Sequence, residues 1–164
     1  MLRNRIRQQI ETAILNSYEK MYRIAYSYVR NEDDALDIVQ DSAYKAMKCA
    51  DSVKSEQYIE TWLCRIVINC AIDFIRKAKR EVLSDIPEDF DKTGTTDTYS
   101  DFDTLEALQV LNETERAIIV LRFFEDKKID DIATILDLNV NTTKTLLYRS
   151  LKKLKIELEG GYAI

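Results

Sequence analysis

Apolar positions recur along most of this chain at three- and four-residue steps, the period of a helix that buries one face. Ile6, Ile10, Ala13, Ile14, Tyr18, Met21, Ile24, Ala25 and Tyr28 predict one long opening helix, which Asn31 stops. Asn31 also fits the N-cap of a second helix, because Glu32, Asp33 and Asp34 then fall in its first turn, where the helix dipole favours negative charge. Leu36, Val39, Ala43 and Ala46 are the expected buried stripe of that helix. After the polar residues 51–57 comes the clearest amphipathic segment, with Ile59, Trp62, Leu63, Ile66, Val67, Cys70, Ala71 and Phe74 on one face of a third helix. Further on, helices are expected around Phe102, Leu105, Leu108 and Leu111, and around Ile118, Leu121 and Phe124. Ile129, Ile132, Ala133 and Leu136 then make a helix of about two turns, residues 137–140 a turn, and residues 141–158 a basic helix capped by Asn139. A short helix with a small residue facing its neighbour, a tight turn and a basic helix is the pattern of a helix-turn-helix.

Strong helix breakers are confined to Pro87, Gly94, Gly160 and Gly161. Two of these fall in residues 82–100, where a Thr/Asp/Ser-rich stretch has little to bury, so this segment reads as a flexible linker between two small helical domains. Charge sharpens the division. Residues 1–80 hold 14 Lys/Arg against 11 Asp/Glu, residues 81–106 hold nine acids against Lys92 alone, and residues 139–155 hold five cations and no acid. The net charge of −5 therefore conceals a basic C-terminal helix behind an acidic connector.

Candidate chemistry is restricted mainly by what is missing. The chain has no histidine, which removes the commonest general base and nitrogen metal ligand, and no Gly-rich phosphate loop. Cys49, Cys64 and Cys70 form neither a C-x-x-C pair nor an even set, so they are expected to be reduced thiols packed in helices, with no metal or cofactor. An enzyme is the least favoured class. No apolar run approaches the roughly 20 residues of a membrane span, and the basic start is not followed by the apolar core of a secretory signal, so a cytoplasmic protein without membrane insertion is expected.

Three surfaces stand out. In the last helix, Asn141, Thr142, Thr143, Lys144 and Thr145 place short polar side chains near the N-terminus, where base edges in a major groove are reached. Tyr148, Arg149, Lys152, Lys153 and Lys155 follow as phosphate-binding candidates, while Leu147, Leu151 and Leu154 are expected to face inward. The third helix ends in Arg76-Lys77-Ala78-Lys79-Arg80 and carries Arg65 and Asn69 on its polar side, a cluster suited to phosphate backbone. Tyr58 and Trp62 lie close to the loop before it; Trp62, on the apolar stripe, reads as core, which leaves the loop as the better candidate for separated bases. On the second helix Asp34, Asp37, Gln40, Asp41 and Tyr44 line up opposite the buried stripe. That is either a solvated face or, since acids repel DNA, a protein-binding one.

These residues resemble the extracytoplasmic-function subfamily of bacterial RNA polymerase sigma factors. Asp33-Asp34-Ala35-Leu36-Asp37-Ile38-Val39-Gln40-Asp41 is similar to the core-binding helix of region 2, and Thr61-Trp62-Leu63-Cys64-Arg65-Ile66-Val67-Ile68-Asn69, continuing to Asp73-Phe74-Ile75-Arg76-Lys77, to its promoter-melting and minus 10 helix. Leu111-Asn112-Glu113-Thr114-Glu115-Arg116, Val120-Leu121-Arg122-Phe123-Phe124, Asp131-Ile132-Ala133 and Thr142-Thr143-Lys144-Thr145-Leu146-Leu147-Tyr148-Arg149-Ser150 resemble region 4. The resemblance implies an all-α fold with a region 2-like domain at 1–81, an acidic flexible linker at 82–100 and a region 4-like helix-turn-helix domain at 101–164. It implies an alternative sigma factor that binds core RNA polymerase through Asp34, Asp37, Gln40 and Asp41. Single-stranded minus 10 DNA would meet Val53, Lys54, Ser55, Glu56 and Gln57, with Asn69, Arg76, Lys77, Lys79 and Arg80 alongside. Duplex minus 35 DNA would meet Thr142, Lys144, Thr145, Tyr148, Arg149 and Lys152. An anti-sigma factor is a further implied partner. Thr143, Leu146 and Asp137 stand where the family commonly has valine, arginine and glycine, which implies one phosphate contact fewer, and Asn112 stands for a common proline. A stand-alone helix-turn-helix transcriptional regulator, or a helical adaptor that never touches DNA, remains the alternative.

Overall fold

The structure, a computed structural model, describes residues 2–84 and 102–162, with side chains described at 2–83 and 105–155. It is all-helical over the described residues, and the chain divides into two compact units, Met1–Asp97 and Thr98–Ile164. Most of the expected linker lies outside the described residues; its first three positions, 82–84, continue the preceding helix.

The first unit contains α1 (Leu2–Asn16), α2 (Tyr18–Val29), α3 (Glu32–Lys48) and α4 (Ile59–Ser84). The expected single opening helix is thus two helices, parted at Ser17, whose backbone sits at φ −104, ψ 8. No glycine or proline marks the break. Tertiary packing imposes it: Ile10 is fully buried on one side of it and Met21, Ile24 and Ala25 on the other. α2 ends at Arg30 in the left-handed region (φ 54), and Asn31 then caps α3, its side chain accepting the Asp34 N–H at 2.9 Å. The buried stripe of α3 is Ala35, Ile38, Val39, Ser42 and Ala46, turned from the expected one, with Leu36 and Ala43 half-buried. Small residues dominate this stripe, which lets α2 and α4 pack closely on α3. Cys64 and Cys70 are buried thiols on α4, whereas Cys49 departs from expectation as the exposed C-cap of α3.

The second unit contains α5 (Phe102–Ala107), α6 (Glu113–Ile119), α7 (Ile129–Leu136) and α8 (Val140–Tyr162). A 3-10 turn, Leu108–Val110, finishes α5, and a π-helical turn, Val120–Phe124, finishes α6. Leu108, Ile118, Leu121, Ile132 and Ile135 form fully buried parts of its core, while Phe124, expected on the apolar face, is 42% exposed. α8 packs against α5, α6 and α7, so the orientation of this helix is determined by the rest of its own unit.

Candidate nucleic-acid interface

The turn between α7 and α8 is built by its own residues. Asp137 takes the left-handed conformation (φ 55, ψ 47) that ends α7, and the Leu138 N–H donates to the Ala133 carbonyl at 2.9 Å. Left-handed residues at helix ends satisfy the carbonyls that a helix leaves unpaired. Two residues later the Asn139 side chain accepts the Thr142 N–H at 2.7 Å and starts α8. Ala133 is buried at this junction, giving the close approach of α7 and α8 that the sequence pattern predicted.

On α8 the inward row is Thr143, Leu147 and Ser150, followed by half-buried Leu154. Two expectations are corrected. Thr143 is fully buried, with its hydroxyl donating to the Asn139 carbonyl at 2.9 Å, and presents nothing to a base; Leu151 is 36% exposed instead of inward. Ser150 repeats the device, donating to Leu146 O at 2.6 Å. Because both hydroxyls return to the preceding turn, they are buried without an unmet hydrogen bond. The opposite side of α8 presents Thr142, Lys144, Thr145, Tyr148, Arg149 and Lys152, all exposed, which brings these candidates together on one accessible side of one helix.

Lys153 does not belong to that side. Its ammonium reaches back 2.8 Å to Oε1 of Glu115, a residue with no exposed surface. Glu115 closes a capping box at the start of α6: the Asn112 side chain accepts the Glu115 N–H at 2.9 Å, and the Asn112 N–H donates to Glu115 Oε1 at 3.0 Å. Burial alone would raise the Glu115 pKa, but the hydrogen bonds from Lys153 and the Asn112 backbone, with the charges of Lys153 and Arg149, leave it below its ordinary value. Sequence reasoning missed this clamp, although Asn112-x-x-Glu115 spells a capping box. The asparagine in the usual proline position therefore has a structural task.

In the first unit, the loop before α4 carries exposed Lys54, Ser55, Glu56 and Gln57, with Tyr58 beside them at 56% exposure. Val53, expected to meet DNA, is buried in a cluster with Ile10, Ala46, Ala50, Ile59 and Leu63, so its side chain anchors the loop instead. Trp62 is half-buried against the same cluster, as its place on the apolar stripe predicted. Along α4, Asn69, Arg76 and Arg80 recur at helical spacing on one exposed line, interrupted by the carboxylate of Asp73, with exposed Lys77 and Lys79 on either side.

Asp37, Gln40 and Asp41 of α3 are exposed and Asp34 is half-buried, with the Tyr44 ring 66% exposed at the end of the row. Partial burial chiefly, and then the neighbouring charges of Asp37 and Asp33, raise the Asp34 pKa. Lys45 approaches Asp41 at 3.7 Å, a solvent-exposed pair of little energetic weight that leaves the face acidic. Among the described residues no group of three or more His, Cys, Asp or Glu is placed to hold a metal ion, and no helix is long and apolar enough to cross a membrane.

Comparison with known proteins matches residues 14–81 to the Sigma-70 region 2 family and residues 102–154 to the Sigma-70, region 4 family. RNA polymerase sigma factor SigV of Bacillus subtilis (strain 168) is 45% identical over 148 residues, covering 90% of this chain and 89% of that protein. The ECF RNA polymerase sigma factor SigW of the same organism is 29% identical over 158 residues, covering 85% and 83%. Among solved structures, the sigma factor RpoE in complex with the anti-sigma factor NepR from Bartonella quintana superposes with a TM-score of 0.71 at 25% identity, covering 91% of this chain and 96% of that one.

Proposed function

From the premise that the chain belongs to the extracytoplasmic-function sigma factors and directs RNA polymerase to promoters, without itself being an enzyme, we propose how its surfaces divide that work. Residues 1–81 bind core polymerase and read and melt the minus 10 element, residues 101–164 read the minus 35 element as duplex, and the acidic residues 82–100 connect them. The acidic row Asp34, Asp37, Gln40 and Asp41 docks on the polymerase, since negative charge there would repel DNA and favours a basic protein surface. Lys54, Ser55, Glu56 and Gln57 receive unstacked bases of the melted strand, while Asn69, Arg76, Lys77, Lys79 and Arg80 follow its backbone. On α8, Thr142, Lys144, Thr145, Tyr148, Arg149 and Lys152 enter the major groove.

One observation carries this reading above the others: the polar and cationic residues of α8 lie on the side left open, while Thr143, Leu147 and Ser150 hold the helix to its unit. No covalent step is required. Binding energy spread over polymerase and two DNA sites drives strand opening, and each weak DNA contact gains from being tethered to the other. The protein works in the cytoplasm, where polymerase is. The relative RpoE is held by an anti-sigma factor in its solved structure, which supports a cognate anti-sigma partner here.

Co-purification with core polymerase, followed by run-off transcription and footprinting on a promoter selected from a randomised pool, tests the assignment. The expected outcome is protection of two elements only when polymerase is present. Asp37→Lys with Asp41→Lys should abolish co-purification, and Lys144→Glu with Arg149→Glu should abolish minus 35 protection while co-purification persists. Sequence-specific protection by the chain alone would instead establish a stand-alone regulator.

A further inference from the structure

We propose that α1 is a positioning element for the minus 10 reading loop, with Ile10 as the residue through which it acts. The inference rests on the proposed role of that loop and goes beyond it, because residues 1–13 precede the region 2 match that begins at residue 14.

The loop's own hydrogen bonds are local, each spanning two or three residues, and a 3-10 turn, Glu56–Tyr58, closed by the Ile59 N–H on Glu56 O, orders only its second half. The Val53 N–H reaches Ala50 O at 3.3 Å, the Tyr58 N–H reaches Ser55 O at 3.1 Å, and the Gln57 N–H reaches the Ser55 hydroxyl at 3.4 Å. Such contacts shape the turn but do not fix where it sits against the rest of the unit. What its ends rest on does. Val53 at one end and Ile59 just past the other are both buried in a single cluster, and the side chain from outside the α3–loop–α4 segment that completes the cluster is Ile10, at 0% exposure. Ile6, Ala13 and Ile14 of α1 extend the contact, and the side chain of Arg5 reaches Glu56, in the exposed part of the loop, at 3.4 Å. α1 therefore supports the loop from beneath through Ile10 and touches its rim through Arg5. Interiors are packed closely enough that removing methyl groups at such a point moves what rests on it. Capturing a flipped base depends on a shaped pocket, and in enzyme active sites a misplacement of about 1 Å can cost roughly a hundredfold, which sets an upper scale for the effect here.

The exposed Arg5–Glu56 pair, with both side chains about half or more in solvent, contributes little on its own. Ile10 is thus the residue to change. The test uses full-length protein bound to core polymerase and a pre-melted bubble template, in which the strand recovered by the parent holoenzyme competes with a scrambled strand. Ile10→Ala should lower this discrimination about tenfold or more, and Ile10→Val should lower it by a smaller, measurable factor. Both should leave co-purification with polymerase and minus 35 protection at the parent level, which a general loss of folding would not. Leu15→Ala, on the same helix but 78% exposed, should match the parent in every measurement. If Ile10→Ala does not fold, Ile10→Val decides alone. Undiminished discrimination in a folded Ile10 variant, from a parent holoenzyme that does discriminate, overturns the role of α1 and leaves the loop assignment standing. A parent holoenzyme with no discrimination overturns the loop assignment and this inference with it.

Discussion

The clamp between Glu115 and Lys153 allows the sharpest test of how α8 is held. Lys153→Met keeps the aliphatic stem and removes the ammonium, leaving a carboxylate with no exposed surface and only the Asn112 N–H as its remaining described donor. Removing one member of a fully buried pair costs about 3–5 kcal/mol. Here the Lys153 side chain is 42% exposed, so water can approach once the ammonium is gone, and about 2 kcal/mol is the expected cost. Glu115→Gln should cost less, about 1 kcal/mol, because the amide oxygen still accepts from Asn112 and the freed ammonium turns to solvent. The double variant should resemble Glu115→Gln alone, giving a coupling of about 2 kcal/mol. Native-state amide hydrogen exchange on the full chain measures this at the α6 and α8 amides, while fluorescence of the single tryptophan, Trp62, in the first unit serves as the internal control. pH supplies a second reading. Glu115 has its pKa depressed by folding, so its contribution is fully present above its ordinary value of 4.5 and is lost as pH falls through the lower folded value. The gap between the parent and Glu115→Gln should stay constant from neutral pH down to about 4.5 and close below it. Equal costs for the two single variants, or a gap unmoved by acid, would refute the clamp.

Two further outcomes follow from the turn between α7 and α8. Asn139→Ala removes the acceptor for the Thr142 N–H and should cost about 1 kcal/mol, read as faster exchange in the first turn of α8 and reduced minus 35 protection. Asp137→Gly relieves a non-glycine residue at φ 55 and should raise thermal stability by about 0.5–1 kcal/mol, with promoter protection by the holoenzyme unchanged.

Helical period made most of the fold legible because each helix buries one stripe, and large aliphatics such as Ile24, Leu63, Leu108 and Ile132 mark it. Small polar residues escaped the same logic. Ser42, Thr143 and Ser150 count as polar in any hydrophobic pattern, yet each is fully buried with its hydroxyl donating to the carbonyl four residues earlier. That local bond removes the cost of burial, and the small side chain then suits positions where helices approach most closely. The stripe of α3 is consequently turned from the one drawn through Leu36 and Ala43, and on α8 Ser150 is buried on the inward side where the apolar pattern favours Leu151. The break at Ser17 was illegible for a different reason: local propensity permits a continuous helix there, and only the packing of α1 and α2 on α3 and α4 divides it.

The candidate surfaces were more legible than the contacts that position them, and the difference is physical. A reading surface is made of exposed polar and charged residues in local register, so Lys144, Tyr148 and Arg149 announce themselves within two turns of one helix. Its supports join residues far apart in sequence: Lys153 meets Glu115 across 38 positions, and Ile10 meets Val53 and Leu63 across still more. No periodicity within a single helix encodes such pairs. Val53 shows the confusion this produces, because it lies at the edge of a polar loop whose pattern suggests a DNA-facing surface, while its side chain is buried in the core cluster. On the proposed reading, a substitution at Lys54 or Gln57 should change what the loop recognises, whereas one at Val53 or Ile10 should change whether the loop is in place to recognise anything.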